Sequence, residues 1–334
     1  MGQKKSLRKR WKRYAGLLMM RTFFEGLSGM GKLSPKASPA RHGVEVLKDI
    51  PYKQGGEDFL LDVYKPKELH GKHPILFYVH GGAFQILSKE THWVFGLRFA
   101  KQGYIVFNIN YRLAPAHRYP AGLRDTMDAF LWVLENAHKY GGDIDQIVLS
   151  GESAGANLAL GLQLAACYEE TEPWAKDVYA ANPSLKAIIP ACGLLQASDG
   201  ERFMRRRPIP PFVASRIRGI APAYIPKDVS FRDVDAVAEN YPLADPLVFL
   251  ERGEQPQRPL PPSFTFVGTK DPILDDTRRY HAALEALGAP SEIKYYPGGL
   301  HAFHALTWQE RSRVCWQDQY AFLQRVVPTP VKAK

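Results

Sequence analysis

The chain has 334 residues, of which 45% are hydrophobic and 23% are charged, so it is long enough to bury a core of several layers. This composition excludes an intrinsically disordered protein, which would be poorer in apolar residues and richer in charge. The formal net charge is +10, but seven Lys and Arg residues lie between Lys4 and Arg13, and the rest of the chain shows no basic stripe or aromatic platform of a nucleic-acid domain. We therefore expect no nucleic-acid partner.

The first predicted elements form an antiparallel hairpin, because residues 44–53 and 59–64 are β-branched and aromatic runs separated by a glycine-containing turn. Short apolar runs, typical of strands buried on both faces, follow at 75–79, 105–109, 147–149 and 187–189. Helical spacing of apolar residues is found between them, at 91–102, 122–139 and 154–168. This alternation predicts a parallel sheet covered by helices on both sides.

The alternation stops between residues 198 and 242, a segment rich in proline, basic and aromatic residues. We interpret this segment as an inserted cap, and the run Arg205-Arg206-Arg207 within it as a solvated loop. Alternation then resumes with predicted elements at about 264–267, 276–287, 292–296 and 306–326. The fold class predicted from the sequence is therefore α/β with a cap.

A candidate nucleophile lies between a predicted strand and a predicted helix. The five residues from Gly151 to Gly155 match G-x-S-x-G, with Ser153 at the centre and the apolar run 147–149 directly before it. A nucleophile elbow needs this context, because the sharp turn strains the serine and brings neighbouring backbone close, which glycine allows. The pattern alone also occurs in plain turns, but with its flanking elements it favours a catalytic Ser153.

The second motif is the stretch from His80 to Phe84, which follows the predicted strand 75–79. Consecutive glycines expose backbone N–H groups, the donors that an oxyanion hole requires. We predict Gly81 and Gly82 as donors, with the N–H of Ala154, the residue after the nucleophile, as a further one. His80 is expected to orient this loop through hydrogen bonds. A glycine turn without function is the alternative for this motif taken alone.

The acid and the base should follow the serine, each on a loop after a strand. Asp271 follows the predicted strand 264–267 and His301 follows the predicted strand 292–296, so these two are the candidates. Asp275 and Asp276 compete with Asp271, but their place at a helix start is typical of caps. His304, one helical turn beyond His301, is interpreted as a packing or solvent-facing residue.

No metal or cofactor is implied, since the sequence has no H-E-x-x-H motif, no Cys/His quartet and no P-loop. Three widely spaced cysteines favour buried free thiols and a reducing compartment. The apolar stretch 15–20 is shorter than the core of a signal peptide, and no run is long enough to span a bilayer. We therefore expect a cytoplasmic protein.

With these motifs in hand, the sequence closely resembles the hormone-sensitive-lipase-like family of α/β hydrolases, which includes the bacterial family IV esterases. The resemblance runs from about Gly43 to the end and rests on motifs in a fixed order: HGGAF, NYRLAPAHRYPAGLRD, GESAGANLAL, LPP with VGTKDPILDD, and YPGGLHAF. Four positions depart from the family pattern. Alanines replace frequent glycines at Ala83 and Ala302, and Asn110 and Ala116 stand where acidic residues are usual.

The resemblance implies an eight-stranded, mostly parallel sheet formed by residues 43–197 and 243–334. It also implies a helical cap made from residues 1–42 and 198–242. Carried over by motif position, Ser153, Asp271 and His301 form a catalytic triad that hydrolyses short- to medium-chain acyl esters through an acyl-serine, without a cofactor. Acyl transfer, hydrolysis of amides or thioesters, and a non-catalytic small-molecule receptor are the alternatives, and sequence does not separate these from ester hydrolysis.

The basic N-terminal arm has two interpretations. Leu7, Trp11, Tyr14 and Leu18 are spaced by four, three and four residues and so share one face of a helix, flanked by basic residues. Such a helix could contact an anionic membrane through residues 1–20, at the inner membrane surface. The alternative, which the same observations favour slightly, is that the helix packs on the cap, since a cap helix also needs an apolar stripe.

Overall fold

The structure is a computed structural model that describes residues 2–169 and 172–330, with side chains except those of residues 2–14, 36 and 173. Eight strands form one sheet in this part of the chain: β1 (Val44–Pro51), β2 (Leu60–Pro66), β3 (His73–Val79), β4 (Ile105–Ile109), β5 (Gly142–Glu152), β6 (Leu185–Ala191), β7 (Ser263–Gly268) and β8 (Ser291–Tyr296). Their order is β1-β2-β4-β3-β5-β6-β7-β8. β2 pairs antiparallel with β1 and β4, and all other pairs are parallel. The predicted eight-stranded, mostly parallel sheet is confirmed.

Helices connect the strands and cover both faces of the sheet. In the described residues they are α1 (Gly2–Leu33), α2 (Trp93–Ala100), α3 (Ala121–Asn136), α4 (Ala154–Cys167), α5 (Pro173–Ala181), α6 (Arg202–Arg206), α7 (Pro211–Ile217), α8 (Ala221–Tyr224), α9 (Val234–Asn240), α10 (Pro246–Glu251), α11 (Leu274–Ala286) and α12 (Glu310–Val326). None of the helices in the described part of the chain combines the length and the apolar character needed to cross a bilayer.

The central strands are apolar because both of their faces are buried. Successive side chains of β3 enter opposite cores, as the period of a strand requires. Phe77 packs edge-on against Phe130 of α3, with ring centroids 5.4 Å apart. Its neighbour Tyr78 stacks on Phe95 of α2 at 5.1 Å. β3 is buried along its whole length, which explains why it reads as one continuous apolar run.

Several element boundaries differ from the sequence-based prediction. β5 begins at Gly142, five residues before the apolar run at 147, because its first residues lie at the partly exposed end of the strand. The last helix starts at Glu310 instead of about 306, since Phe303–Ala305 form a short 3₁₀ turn. The short helices α5 and α10 were not predicted. Both start at a proline, which suits the first helical turn. Both are too short to show a long apolar stripe in the sequence.

Four of the short helices, α6 to α9, occupy the segment between β6 and β7 that was predicted as a cap. Phe84, in the loop after β3, stacks on Tyr224 of α8 with ring centroids 3.7 Å apart. Arg118 donates to the carbonyls of Pro222 and Ile225. The division of the chain into a catalytic domain and a cap stays a prediction, but these contacts join α8 to the loops at the carboxyl end of β3 and β4.

Candidate active site

Ser153 lies in the sharp turn between β5 and α4. Its φ of 57° and ψ of −115° fall outside the ordinary regions for an L-residue, and such strain costs about 1–3 kcal/mol. The turn is held by two backbone hydrogen bonds: Ser153 N–H donates to Ala191 O at 3.0 Å, and Leu194 N–H donates to Ser153 O at 3.0 Å. The strained serine is therefore fixed by β6 and the loop that follows it.

The two glycines of the motif are required by close backbone contacts. A Cβ on Gly151 would lie 2.3 Å from Gly155 O, and a Cβ on Gly155 would lie 2.1 Å from Val79 O. Neither neighbour can move away as a flexible side chain could, because both are backbone atoms. The turn thus packs α4 tightly against the end of β3, where the second motif begins.

Three side chains meet above this turn, in the order predicted from the sequence. His301 Nε2 lies 2.9 Å from Ser153 Oγ, and His301 Nδ1 lies 2.8 Å from Asp271 Oδ2. Asp271 is fully buried, and its other oxygen accepts from Ile273 N–H at 2.9 Å. The carboxylate is therefore placed to hold the Nδ1–H tautomer of His301, which leaves Nε2 free to accept the serine proton.

The two rival aspartates point elsewhere, and neither caps a helix. Asp276 is buried and accepts from the N–H groups of Leu195 and Gln196 and from the guanidinium of Arg202. Asp275 pairs with arginines on α6 and on its own helix, at 3.0 and 2.7 Å. His304 is buried against Phe266, so it is a packing residue.

The predicted backbone donors near Ser153 lie in the loop after β3 and at the start of α4. The Gly81 nitrogen lies 3.3 Å from His92 Nε2, but that ring nitrogen also lies 3.1 Å from Glu152 Oε2. Because an ionised carboxylate can only accept, His92 Nε2 donates to Glu152 and cannot also accept from Gly81, so Gly81 stays a predicted oxyanion donor. Among the described residues, no hydrogen bond is found for the N–H groups of Gly82 and Ala83 in the loop. Ala154 is the first residue of α4, a position whose N–H has no partner within its helix.

The conformation of this loop explains why residue 82 is a glycine and how His80 orients the loop. Gly82 has a φ of 113°, and a Cβ there would lie 1.9 Å from Ile86 O. His80 Nδ1 lies 2.7 Å from Gly81 O, and burial lowers the pKa of His80 to about 3, so the ring is neutral and can donate. Because C=O and N–H of one peptide unit point in opposite directions, His80 turns the Gly82 N–H away from itself. The predicted orienting hydrogen bond is present.

A buried carboxylate lies beside the histidine and was not predicted. Glu152 Oε1 is 3.6 Å from His301 Nε2, and Glu152 Oε2 is 3.1 Å from His92 Nε2. Burial alone would raise the pKa of Glu152, but the hydrogen bond to His92 and the charges of His301 and His92 lower it to about 2. Burial alone would lower the pKa of His301, but the charge and hydrogen bond of Asp271 and the charge of Glu152 raise it to about 9.

The comparisons with known proteins identify the fold family. A family model described as alpha/beta hydrolase fold matches residues 76–305. The chain belongs to the α/β-hydrolase fold family. Esterase LipQ of Mycobacterium tuberculosis is 29% identical to this α/β hydrolase over 303 residues, which make up 89% of this chain and 66% of that protein. The acetyl esterase of Salmonella choleraesuis is 30% identical over 266 residues, 76% of this chain and 73% of that protein.

Among solved structures, a bacterial heroin esterase matches this α/β hydrolase with a TM-score of 0.75 at 21% identity, over 94% of this chain and 93% of that chain. At this identity the match supports the fold alone. The curated relatives are named esterases, which confirms the predicted resemblance and the predicted class, a carboxylesterase-like hydrolase.

Two groups of side chains in this α/β hydrolase, among the described residues, bring possible metal-donor atoms within 4.8 Å of one another. The first is Glu152, Cys192 and His301, but both ring nitrogens of His301 are hydrogen-bonded, and burial raises the pKa of the Cys192 thiol well above its usual value. The second is an acidic group around the buried Lys89 Nζ, which lies 2.7 Å from Asp62 Oδ1. The first group therefore shares His301 with the triad, and in the second the Lys89 ammonium already pairs with Asp49, Asp62 and Glu90.

Sequence reasoning missed three residues of the site. Glu152 carried a signal, since it precedes Ser153 within the motif. His92 carried no such signal, because it is distant from Ser153 in the sequence and lies near it only in the folded chain. Arg207 was interpreted as part of a solvated loop, but its guanidinium donates to the backbone carbonyl of Asp271. Arg205 of the same run fits the solvated interpretation, because it is exposed and pairs with Asp199.

Proposed function

We propose that this α/β hydrolase cleaves short- to medium-chain carboxylic esters through an acyl intermediate on Ser153, with His301 as general base and Asp271 as its orienting acid. The observation that carries the proposal is the continuous hydrogen-bonded path from Asp271 through His301 to Ser153 Oγ, at 2.8 and 2.9 Å. Such a path activates a serine that is otherwise a weak nucleophile.

Each half-reaction uses the same groups. Ser153 Oγ attacks the ester carbonyl while His301 Nε2 takes the hydroxyl proton, and the carbonyl oxygen becomes an oxyanion. The N–H groups of Gly81, Gly82 and Ala154 are the donors that would stabilise it. The tetrahedral adduct then expels the alcohol, which takes the proton from His301. Water then attacks the acyl-serine carbonyl while His301 takes its proton. The second tetrahedral adduct releases the acid, and Ser153 Oγ regains the proton from His301.

Two further points belong to this proposal. The substrate is a small-molecule ester, and the name of the acetyl esterase relative favours a short acyl group. We place the chain in the cytoplasm because its three cysteines are free and buried. The predicted membrane contact through residues 1–20 remains a prediction, because the side chains of Leu7, Trp11 and Tyr14 lie outside the described ones.

A panel of p-nitrophenyl esters of increasing chain length, with a matched anilide and a thioester, tests the proposal. We expect the highest kcat/KM on short and medium esters, and much lower values on the anilide. Release of p-nitrophenol should require Ser153, so the Ser153→Ala variant supplies the background. Ester hydrolysis no faster than that background would contradict the proposal, and faster turnover with an added alcohol than in water would favour acyl transfer.

A further inference from the structure

The C-terminal half of α1 contacts the rest of the protein with one side only. Ser28 Oγ donates to Glu90 O at 3.3 Å and accepts from Trp93 Nε1 at 3.1 Å, and Lys32 Nζ lies 2.6 Å from Glu90 Oε2. The helix is thereby attached to the loop that precedes α2. Nearer its start, Gly16 lies against the side chain of Arg216 on α7.

The opposite side of α1 is exposed and uncharged. At 3.6 residues per turn, nine residues between 15 and 33 fall within an arc of about 140°. We call them the outer face: Ala15, Leu18, Met19, Thr22, Phe23, Gly26, Gly29, Met30 and Leu33. All nine are exposed, and the five large apolar ones are 52–83% exposed. A folded protein rarely leaves so many large apolar side chains together in water, so the outer face is suited to cover another apolar surface.

The charge of the same helix indicates which surface. The first acidic residue of the chain is Glu25, and the preceding 24 residues contain eight Lys and Arg residues, so α1 begins with a strongly basic segment and continues into the outer face. Basic segments are attracted to anionic lipid head groups, and an exposed apolar helix face gains free energy by entering the boundary between head groups and acyl chains.

We propose that the outer face of α1 docks on the surface of an anionic lipid bilayer. The helix lies parallel to that surface, with the large apolar side chains of the outer face buried among the lipids. The basic segment before residue 14 provides long-range attraction, and the outer face provides the apolar contact. This docking is independent of the proposed ester hydrolysis, because no residue of the outer face belongs to the candidate active site.

A second copy of the chain fits the outer face less well than a bilayer does. Two copies joined through α1 would bring two basic N-terminal segments together, and no acidic cluster in residues 1–24 could offset their repulsion. An anionic bilayer has the opposite charge and accepts both parts of the helix.

Vesicle flotation of the full chain tests the docking. The vesicles contain phosphatidylcholine alone, or phosphatidylcholine with about one fifth phosphatidylglycerol, at low salt and at about 0.5 M NaCl. The test variant, Met19→Gln/Phe23→Gln/Met30→Gln, keeps the charge and uses a residue compatible with helix. The matched control, Ile144→Gln/Val314→Gln, makes the same kind of change at exposed apolar positions away from α1. Circular dichroism reports that each variant is folded.

The proposal predicts that the wild type and the control float with anionic vesicles but not with neutral ones, and that salt weakens the binding. The test variant should bind at least about tenfold more weakly, since it lacks three apolar side chains that the wild type would bury in the bilayer. Three results would overturn the proposal: no flotation of the wild type with anionic vesicles, equal binding by the test variant, or a wild-type dimer in sedimentation velocity that the test variant dissociates.

Discussion

Glu152 Oε1 lies 3.6 Å from His301 Nε2, on the same ring nitrogen that faces Ser153 Oγ. A buried carboxylate at this distance favours the protonated imidazole, because opposite charges attract strongly where water is largely excluded. It therefore stabilises the imidazolium that forms when the serine attacks. It also makes the resting histidine harder to deprotonate, so Glu152 raises the pH at which His301 becomes neutral and can act as a base.

The pH profile follows from this contact. His301 must be neutral to accept the serine proton, and its pKa is raised from 6.5 to about 9, so kcat/KM should rise with pH across the range from about 7 to 9. Glu152→Gln removes the charge and lowers the pKa of His301, which should move the acidic limb of the profile by about one unit or more toward lower pH. The exposed Glu285→Gln serves as the control and should keep the wild-type profile. Coincident profiles for Glu152→Gln and wild type would exclude this role of Glu152.

The identity of the acid is tested by two neighbouring aspartates. Asp271→Asn should fold normally but lower kcat by about 10³- to 10⁴-fold, because an amide no longer enforces the Nδ1–H tautomer of His301. Asp275→Asn should stay within about twofold of wild type, since Asp275 pairs with Arg206 and Arg278 and not with His301 in the described part of the chain. Steady-state kinetics with circular dichroism as the folding check decide this, and the reverse pattern would mean that the acid has been misassigned.

Arg207 should act as a positioning residue for the acid. Its guanidinium donates to the carbonyl oxygens of Asp271 and Thr269, so it holds the loop that carries the acid. Arg207→Ala should lower kcat by about 10- to 100-fold, because a small displacement of the acid misplaces His301, while KM changes little. The control is Arg205→Ala, whose exposed ion pair with Asp199 is expected to matter little. A kcat equal to that of wild type in Arg207→Ala would contradict this role.

Two alanines that replace family glycines, Ala83 and Ala302, both have positive φ, at 55° and 53°. This region costs an L-residue more than it costs glycine. Ala302→Gly should therefore raise the free energy of unfolding by about 0.5 kcal/mol or more, measured by urea titration. Ala305→Gly, in the following 3₁₀ turn, should lower it instead. Destabilisation by Ala302→Gly would show that the strain at this position is negligible.

The sequence predicted those parts of the site that depend on local pattern. Ser153, Asp271 and His301 each follow a strand, and parallel strands bring their carboxyl ends to one edge of the sheet, so their convergence could be anticipated. The contact between Glu152 and His92 could not be predicted, because His92 comes from a separate loop. Arg207 was missed for the same reason: a basic run in a cap segment says nothing about which carbonyl one guanidinium will reach.

Covalent labelling of Ser153 tests the central claim most directly. A fluorophosphonate should react with one serine per chain, because an activated hydroxyl beside free N–H donors traps tetrahedral phosphorus, and peptide mass spectrometry should locate the adduct on Ser153. Ser153→Ala should abolish the labelling and lower kcat on p-nitrophenyl acetate by about 10⁴- to 10⁶-fold, while the exposed Ser215→Ala keeps both. If Ser153→Ala is still labelled, or hydrolyses the ester at the wild-type rate, then Ser153 is not the nucleophile.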